Sequence, residues 1–122
     1  MNWTIILIIV VAVALFLTMS KVGQISAQDA TAYLKKGALV IDVRTPGEFN
    51  SGHLTNTINI PLDEIESALP KRVTDKSQVL LLHCASGMRS GMAQKKLNSL
   101  GYTNAFNLGS YDRAEGILKQ KP

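Results

Sequence analysis

The chain has a single cysteine, Cys84, in 122 residues. No internal disulfide is possible, so nothing covalent staples the fold. Two histidines beside that one thiol are too few for a metal site of the usual ligand count, and no metal is expected. No dinucleotide-type glycine pattern occurs, and no cofactor is expected. Basic residues never run longer than pairs such as Lys35-Lys36 and Lys71-Arg72, and thirteen Lys and Arg against nine Asp and Glu leave a net charge of only +4. So mild and dispersed a charge describes an ordinary solvated surface and excludes a nucleic-acid stripe. There is no internal repeat and no low-complexity segment.

Charge is wholly missing from residues 1–20, where only Thr4 and Thr18 interrupt an apolar run from Trp3 to Met19. About twenty such residues span the hydrocarbon core as a helix. Residues 1–22 are therefore expected to be an uncleaved transmembrane anchor, meeting the lipid bilayer through residues 3–19, with Trp3 and Lys21 at the interfaces. The competing reading is a cleaved secretory signal. Against it, residues 1–4 lack basic side chains and the apolar core is long. A cut after Ala27 would also remove Ser26, which reads as an N-cap with Asp29 three residues on. Lys21, Lys35 and Lys36 follow the run and no Lys or Arg precedes it. That bias makes a single-pass protein of the cell membrane with its domain in the cytoplasm, where a lone thiol stays reduced.

The remaining hundred or so residues suffice to bury about two-thirds of their unfolded surface as one domain, residues 25–118. Residues 26–36 read as a helix stopped by Gly37. "ALVIDV" (38–43) and "QVLLLH" (78–83) are short, nearly continuous apolar runs, the mark of strands buried on both faces. Between them lie a turn with one helical turn inside ("TPGEFNSGH"), a strand at "TINI" (57–60), and a short amphipathic helix carrying Leu62, Ile65 and Leu69. A helix over 88–100 presents Ala93, Leu97 and Leu100 on one stripe, then Gly101 ends it. "YTNAFNL" supplies a further strand and 111–119 a closing helix. Strands alternating with helices at this spacing specify an α/β fold with a mainly parallel sheet.

The stretch "HCASGMRSG" (83–91) leaves the C-terminal end of a central strand and opens a helix, the place where open α/β sheets bind ligands. Backbone N–H groups bent into a nest by glycine attract anions there. A thiol so placed is stabilised as thiolate by the amides of Ala85, Ser86, Gly87 and Met88, by the helix dipole and by Arg89, and becomes a nucleophile near neutral pH. The alternative is that Cys84 is merely a small buried hydrophobe.

The blocks "VIDVRTPGEFNSGHLTNTINIPL" (40–62), "LLHCASGMRS" (81–90) and "LNSLGYTNAFNLGS" (97–110), in this order, resemble a single-domain rhodanese. The resemblance implies a rhodanese-like fold of five mainly parallel strands with helices on both faces, and Cys84 as carrier of a sulfane sulfur. Tyrosine phosphatases share "HC" and "RS" but with one more intervening residue than the four between Cys84 and Arg89. The shorter loop makes a tighter nest, better suited to one extra sulfur than to a phosphoryl group. By the same resemblance Asp42 and Arg44 brace the site, pairing with each other or reaching the loop, and Glu48 and His53 brace the loop. His83 should point to the face opposite Cys84. The chain departs from the family at its end, where Gly109-Ser110 replaces a Gly-Gly pair and no Trp follows. The implied activity is an enzymatic one, sulfur transfer from thiosulfate or a persulfide to a thiol acceptor through a Cys84 persulfide. A non-catalytic sulfur-delivery or docking module, and a small cysteine phosphatase or arsenate reductase, are the alternatives.

Overall fold

A computed structural model describes residues 2–21 and 23–120, and the side chains of all of these but 18–21. After helix α1 (Trp3–Lys21) come α2 (Ala27–Lys35), β1 (Leu39–Asp42), α3 (Pro46–Ser51) and β2 (Thr57–Asn59). A 3-10 turn at Leu62–Glu64 leads into α4 (Ile65–Arg72), followed by β3 (Leu80–His83), α5 (Met88–Ser99), β4 (Ala105–Gly109) and α6 (Tyr111–Lys119). The sheet has the order β2-β1-β3-β4, every pair parallel.

Alternation along the strands decides which helices cover which face. Ile41, Leu80 and Leu82 face Ile65, Leu69, Ala93 and Leu97 of α4 and α5. Val40 and Leu81 face Ala30 of α2 and Ala114 and Ile117 of α6. Leu80, Leu81 and Leu82 keep no exposed surface, and truncating any of them to alanine costs about 2–5 kcal/mol. Helices thus lie on both faces, as expected.

Among the described residues the sheet has four strands, not five. Where a fifth would join β4, the chain makes one parallel bridge, Gln24 to Asn107, with Ile25 N–H donating to Asn107 O at 2.9 Å. Ser26 then caps α2, its Oγ accepting from Asp29 N–H at 3.1 Å. A helix begun so soon after the bridge leaves no residues on its C-terminal side to lengthen it into a strand.

Among the described residues no helix is long and apolar enough to cross a membrane. Helix α1 runs 19 residues, Trp3–Lys21. The expected transmembrane anchor over 1–22 is not found. Its end residues Met1 and Val22, and the side chain of Lys21, lie outside the described residues.

The closing helix, placed where the family's usual pattern lapses, forms over Tyr111–Lys119. Ser110 Oγ caps it by accepting from Arg113 N–H at 3.1 Å. The Arg113 guanidinium donates to Leu108 O at 2.6 Å and Ile25 O at 2.5 Å, tying α6 to β4 and to the N-terminal bridge.

Candidate active site

From β1 the chain runs out to β2, then returns past β1 to β3 on its other side. Such a reversal opens a crevice at the C-terminal ends of the two central strands. Asp42 ends β1 opposite His83, which ends β3, and Cys84 follows directly.

Helix α5 has no side-chain cap. Its N-cap is Gly87 at φ 97, ψ −8, a left-handed conformation that glycine adopts without steric cost. The first amides of a helix lack intrahelical partners, and here the sulfur takes that place. Gly87 N–H donates to Cys84 Sγ at 3.0 Å and Ser90 N–H at 3.4 Å. Ser90 Oγ lies 3.5 Å from Sγ on the other side of the first turn.

That hydroxyl belongs to a buried network. It is 2.7 Å from Asn107 Oδ1 and 3.1 Å from Gly87 O. Asn107 Nδ2 donates to Gly87 O at 3.0 Å, while Gly109 N–H donates to Asn107 Oδ1 at 2.9 Å. The two bonds fix which end of the amide faces Ser90. A register shift between β3 and β4 beside Leu82 and His83 brings Gly109 opposite His83, as a bulge does.

Cys84 is fully buried. Burial alone pushes the thiol up. The Ser90 hydroxyl and the N–H groups of Ser90, Gly87 and Ser86 outweigh it and hold the thiol below its ordinary range. Of the amides expected at the sulfur, Gly87 donates at 3.0 Å and Ser86 helps hold the thiol down, whereas Met88 N–H donates to Ser86 Oγ at 3.4 Å.

Arg89 is engaged by Glu48 as a two-pronged ion pair, Nη1–Oε1 at 2.6 Å and Nη2–Oε2 at 3.0 Å. The Arg89 hydrogen bonds, helped by Thr45 N–H, hold the Glu48 carboxyl down at about 2. Asp42 and Arg44 pair with each other: Arg44 Nε is 3.0 Å from both carboxylate oxygens and Nη2 is 2.7 Å from Oδ2. Arg44 also donates to Gly52 O at 2.8 Å and lies 4.9 Å over the Tyr111 ring. This pair braces the loop after β1 against α6 and makes no bond to the thiol. His53 stacks on Phe49 and shares a 2.9 Å bond with Phe49 O, so it braces the end of α3.

His83 is buried on the α6 side, edge-on to Tyr111, with Nε2 unpartnered 3.9 Å from Asp42 Oδ2. Burial pushes its pKa down, so it is neutral at pH 7. It faces away from Sγ and has no base role there. Among the described residues no group of three His, Cys, Asp or Glu side chains converges on a metal position.

The sequence profile of the rhodanese-like domain matches residues 26–113. The chain belongs to the rhodanese-like family. It is 38% identical over 69 residues to thiosulfate sulfurtransferase PspE of Escherichia coli, a match covering 57% of this chain and 66% of that protein. It is 37% identical over 79 residues to the thiosulfate:glutathione sulfurtransferase of Saccharomyces cerevisiae, covering 54% of this chain and 55% of that one. Among solved structures, human single-domain sulfurtransferase TSTD1 superposes with a TM-score of 0.65 at 26% identity, covering 82% of this chain and 98% of that one.

Two residues of this rhodanese-like site are not among those the sequence singles out, Ser90 and Asn107. Ser90 sits in the quoted loop motif, and its place one residue past Arg89 was signal enough. Asn107 carries no local signal, because pairing of β4 with β3 is what brings it to the loop.

Proposed function

We propose that the domain is a sulfurtransferase working by double displacement at Cys84. The observation that carries this is the sulfur seated as the acceptor at the N-terminus of α5, with Gly87 and Ser90 amides aimed at it. The Cys84 thiolate attacks the outer sulfur of thiosulfate or of a persulfide. The donor's S–S bond breaks, and sulfite or a thiolate leaves with the electron pair. The terminal sulfur of the resulting persulfide carries the negative charge, which the same amides and the Ser90 hydroxyl stabilise. An external thiolate then takes that sulfur, releasing Cys84 as thiolate; with no second cysteine in the chain, the acceptor must come from outside. Mass spectrometry after treatment with thiosulfate and, separately, with a low-molecular-weight persulfide should show one added sulfur at Cys84 that a thiol removes. A chain that neither donor modifies refutes the proposal.

Delivery to a protein acceptor is a second reading, favoured by the exposure of Met88 and Met92 on α5 beside the loop. A persulfide that forms readily yet turns over negligibly with every small thiol would support it. Phosphatase chemistry is disfavoured, since the arginine that would hold phosphoryl oxygens is already occupied by Glu48.

We also propose the lipid bilayer as partner of residues 3–19, with the domain on the cytoplasmic face of the cell membrane. The exposed side chains of Trp3, Ile8, Val10 and Phe16 support this, as do the lysines that follow the run. The full chain should float with liposomes, and Cys84 should resist an impermeant maleimide until cells are opened. A chain left at the bottom of the gradient, or labelled in intact cells, refutes it.

A further inference from the structure

Glu48 is more than a brace. It is the third residue of α3, and its carboxylate is set before Arg89 meets it: Thr45 N–H donates to Oε1 at 3.2 Å and the Thr45 hydroxyl lies 3.1 Å away. Thr45 Oγ1 in turn accepts from Glu48 N–H at 3.2 Å, closing a capping box. A negative charge is thereby held against both arms of the Arg89 guanidinium. Arg44, also at this end of the sheet, is spent on Asp42, and Arg113 is spent on the backbone carbonyls of Leu108 and Ile25. The four side chains of the two ion pairs sum to zero charge. A thiolate nucleophile among them would meet an incoming dianion with the guanidinium of neither pair free to offset the repulsion.

The Glu48–Arg89 pair is also the exchangeable part of the site. Its side chains are 35% and 34% exposed, a range in which ion pairs are worth little, whereas Asp42 is buried and Arg44 nearly so. Resting on the sulfurtransferase reading above, we propose that Glu48 is a specificity-determining counterion. It occupies the guanidinium that a donor's oxyanion would need, so the site prefers sulfane-sulfur donors that bring little negative charge, ahead of thiosulfate.

The test compares how fast the full chain and Glu48→Gln are alkylated at Cys84 by iodoacetate and by iodoacetamide. The two reagents share one chemistry and differ by a charge. Glutamine keeps the capping box, and any change in thiol acidity affects both reagents alike and cancels in their ratio. The iodoacetate-to-iodoacetamide ratio should rise about fivefold in Glu48→Gln at low salt, and the gain should shrink in 1 M salt. The KM for thiosulfate should fall by a similar factor with kcat little changed. A ratio that does not move overturns the inference even if thiosulfate is turned over. A raised ratio in a protein that never accepts sulfur leaves the charge selection standing and overturns the sulfurtransferase reading instead.

Discussion

Replacing Ser90 by alanine isolates the hydroxyl in the acidity of Cys84. The variant orphans nothing: Asn107 Oδ1 still accepts from Gly109 N–H, and Gly87 O still accepts from Asn107 Nδ2. Alanine also suits a helix interior better than serine, so the fold should hold. What is lost is a donor to the thiolate. A hydrogen bond to a charged acceptor is worth about 1.5–3 kcal/mol. At 3.5 Å from Sγ, and with Asn107 Oδ1 competing at 2.7 Å, the low end applies, about 1.5 kcal/mol. That is about a tenfold loss of thiolate at a pH below the midpoint. A more basic thiolate is also a better nucleophile, with a Brønsted slope near 0.4–0.5, which returns about threefold. The iodoacetamide rate should therefore fall about threefold at pH values below the midpoint and rise about threefold on the alkaline plateau, so the two pH–rate curves cross. The single cysteine makes every alkylation event a report on Cys84. Curves that superimpose, or that differ by one factor at every pH, would refute the assignment of the hydroxyl to the thiolate.

Other outcomes follow from the same geometry. Gly87→Ala sits at φ +97, and its new Cβ would lie 3.3 Å from Gln24 Nε2 and 3.4 Å from the Gly109 backbone. Urea denaturation should show about 1–2 kcal/mol lost, together with slower alkylation of Cys84; an unchanged midpoint and rate would contradict the role given to this turn. Burial lowers the folded pKa of His83, so below about 6.5 the unfolded chain binds the extra proton and stability falls with falling pH, while above that value the effect is absent. The urea midpoint should drop between about pH 6.5 and 5, less steeply in His83→Gln; equal slopes would exclude His83 as the cause. For Glu48, held at about 2, the sign is the carboxylate one: its contribution is present above about 4.5 and lost as pH falls toward 2. Glu48→Gln should flatten the acid limb of the stability curve, and an unaltered limb would mean the pair contributes nothing.

Sequence alone determined whatever rests on periodicity and local backbone chemistry. The apolar runs ending at Asp42 and His83 are strands because residues buried on both faces need no alternation. Ser26 caps α2 as expected, and α6 has the expected bounds despite the altered motif before it. The loop from Cys84 to Arg89 was legible because a thiol, a left-handed glycine and a helix start lie within six residues. Tertiary structure decided everything that depends on pairing between distant segments. Glu48 meets Arg89 across 41 residues, and Asn107 meets Ser90 across 17. No local pattern marks either contact, because the order β2-β1-β3-β4 is what brings α3 and β4 to the same loop. The missing fifth strand is of the same kind. A strand exists by its hydrogen bonds to a neighbour, and here the cap at Ser26 stops the pairing with β4 after a single bridge.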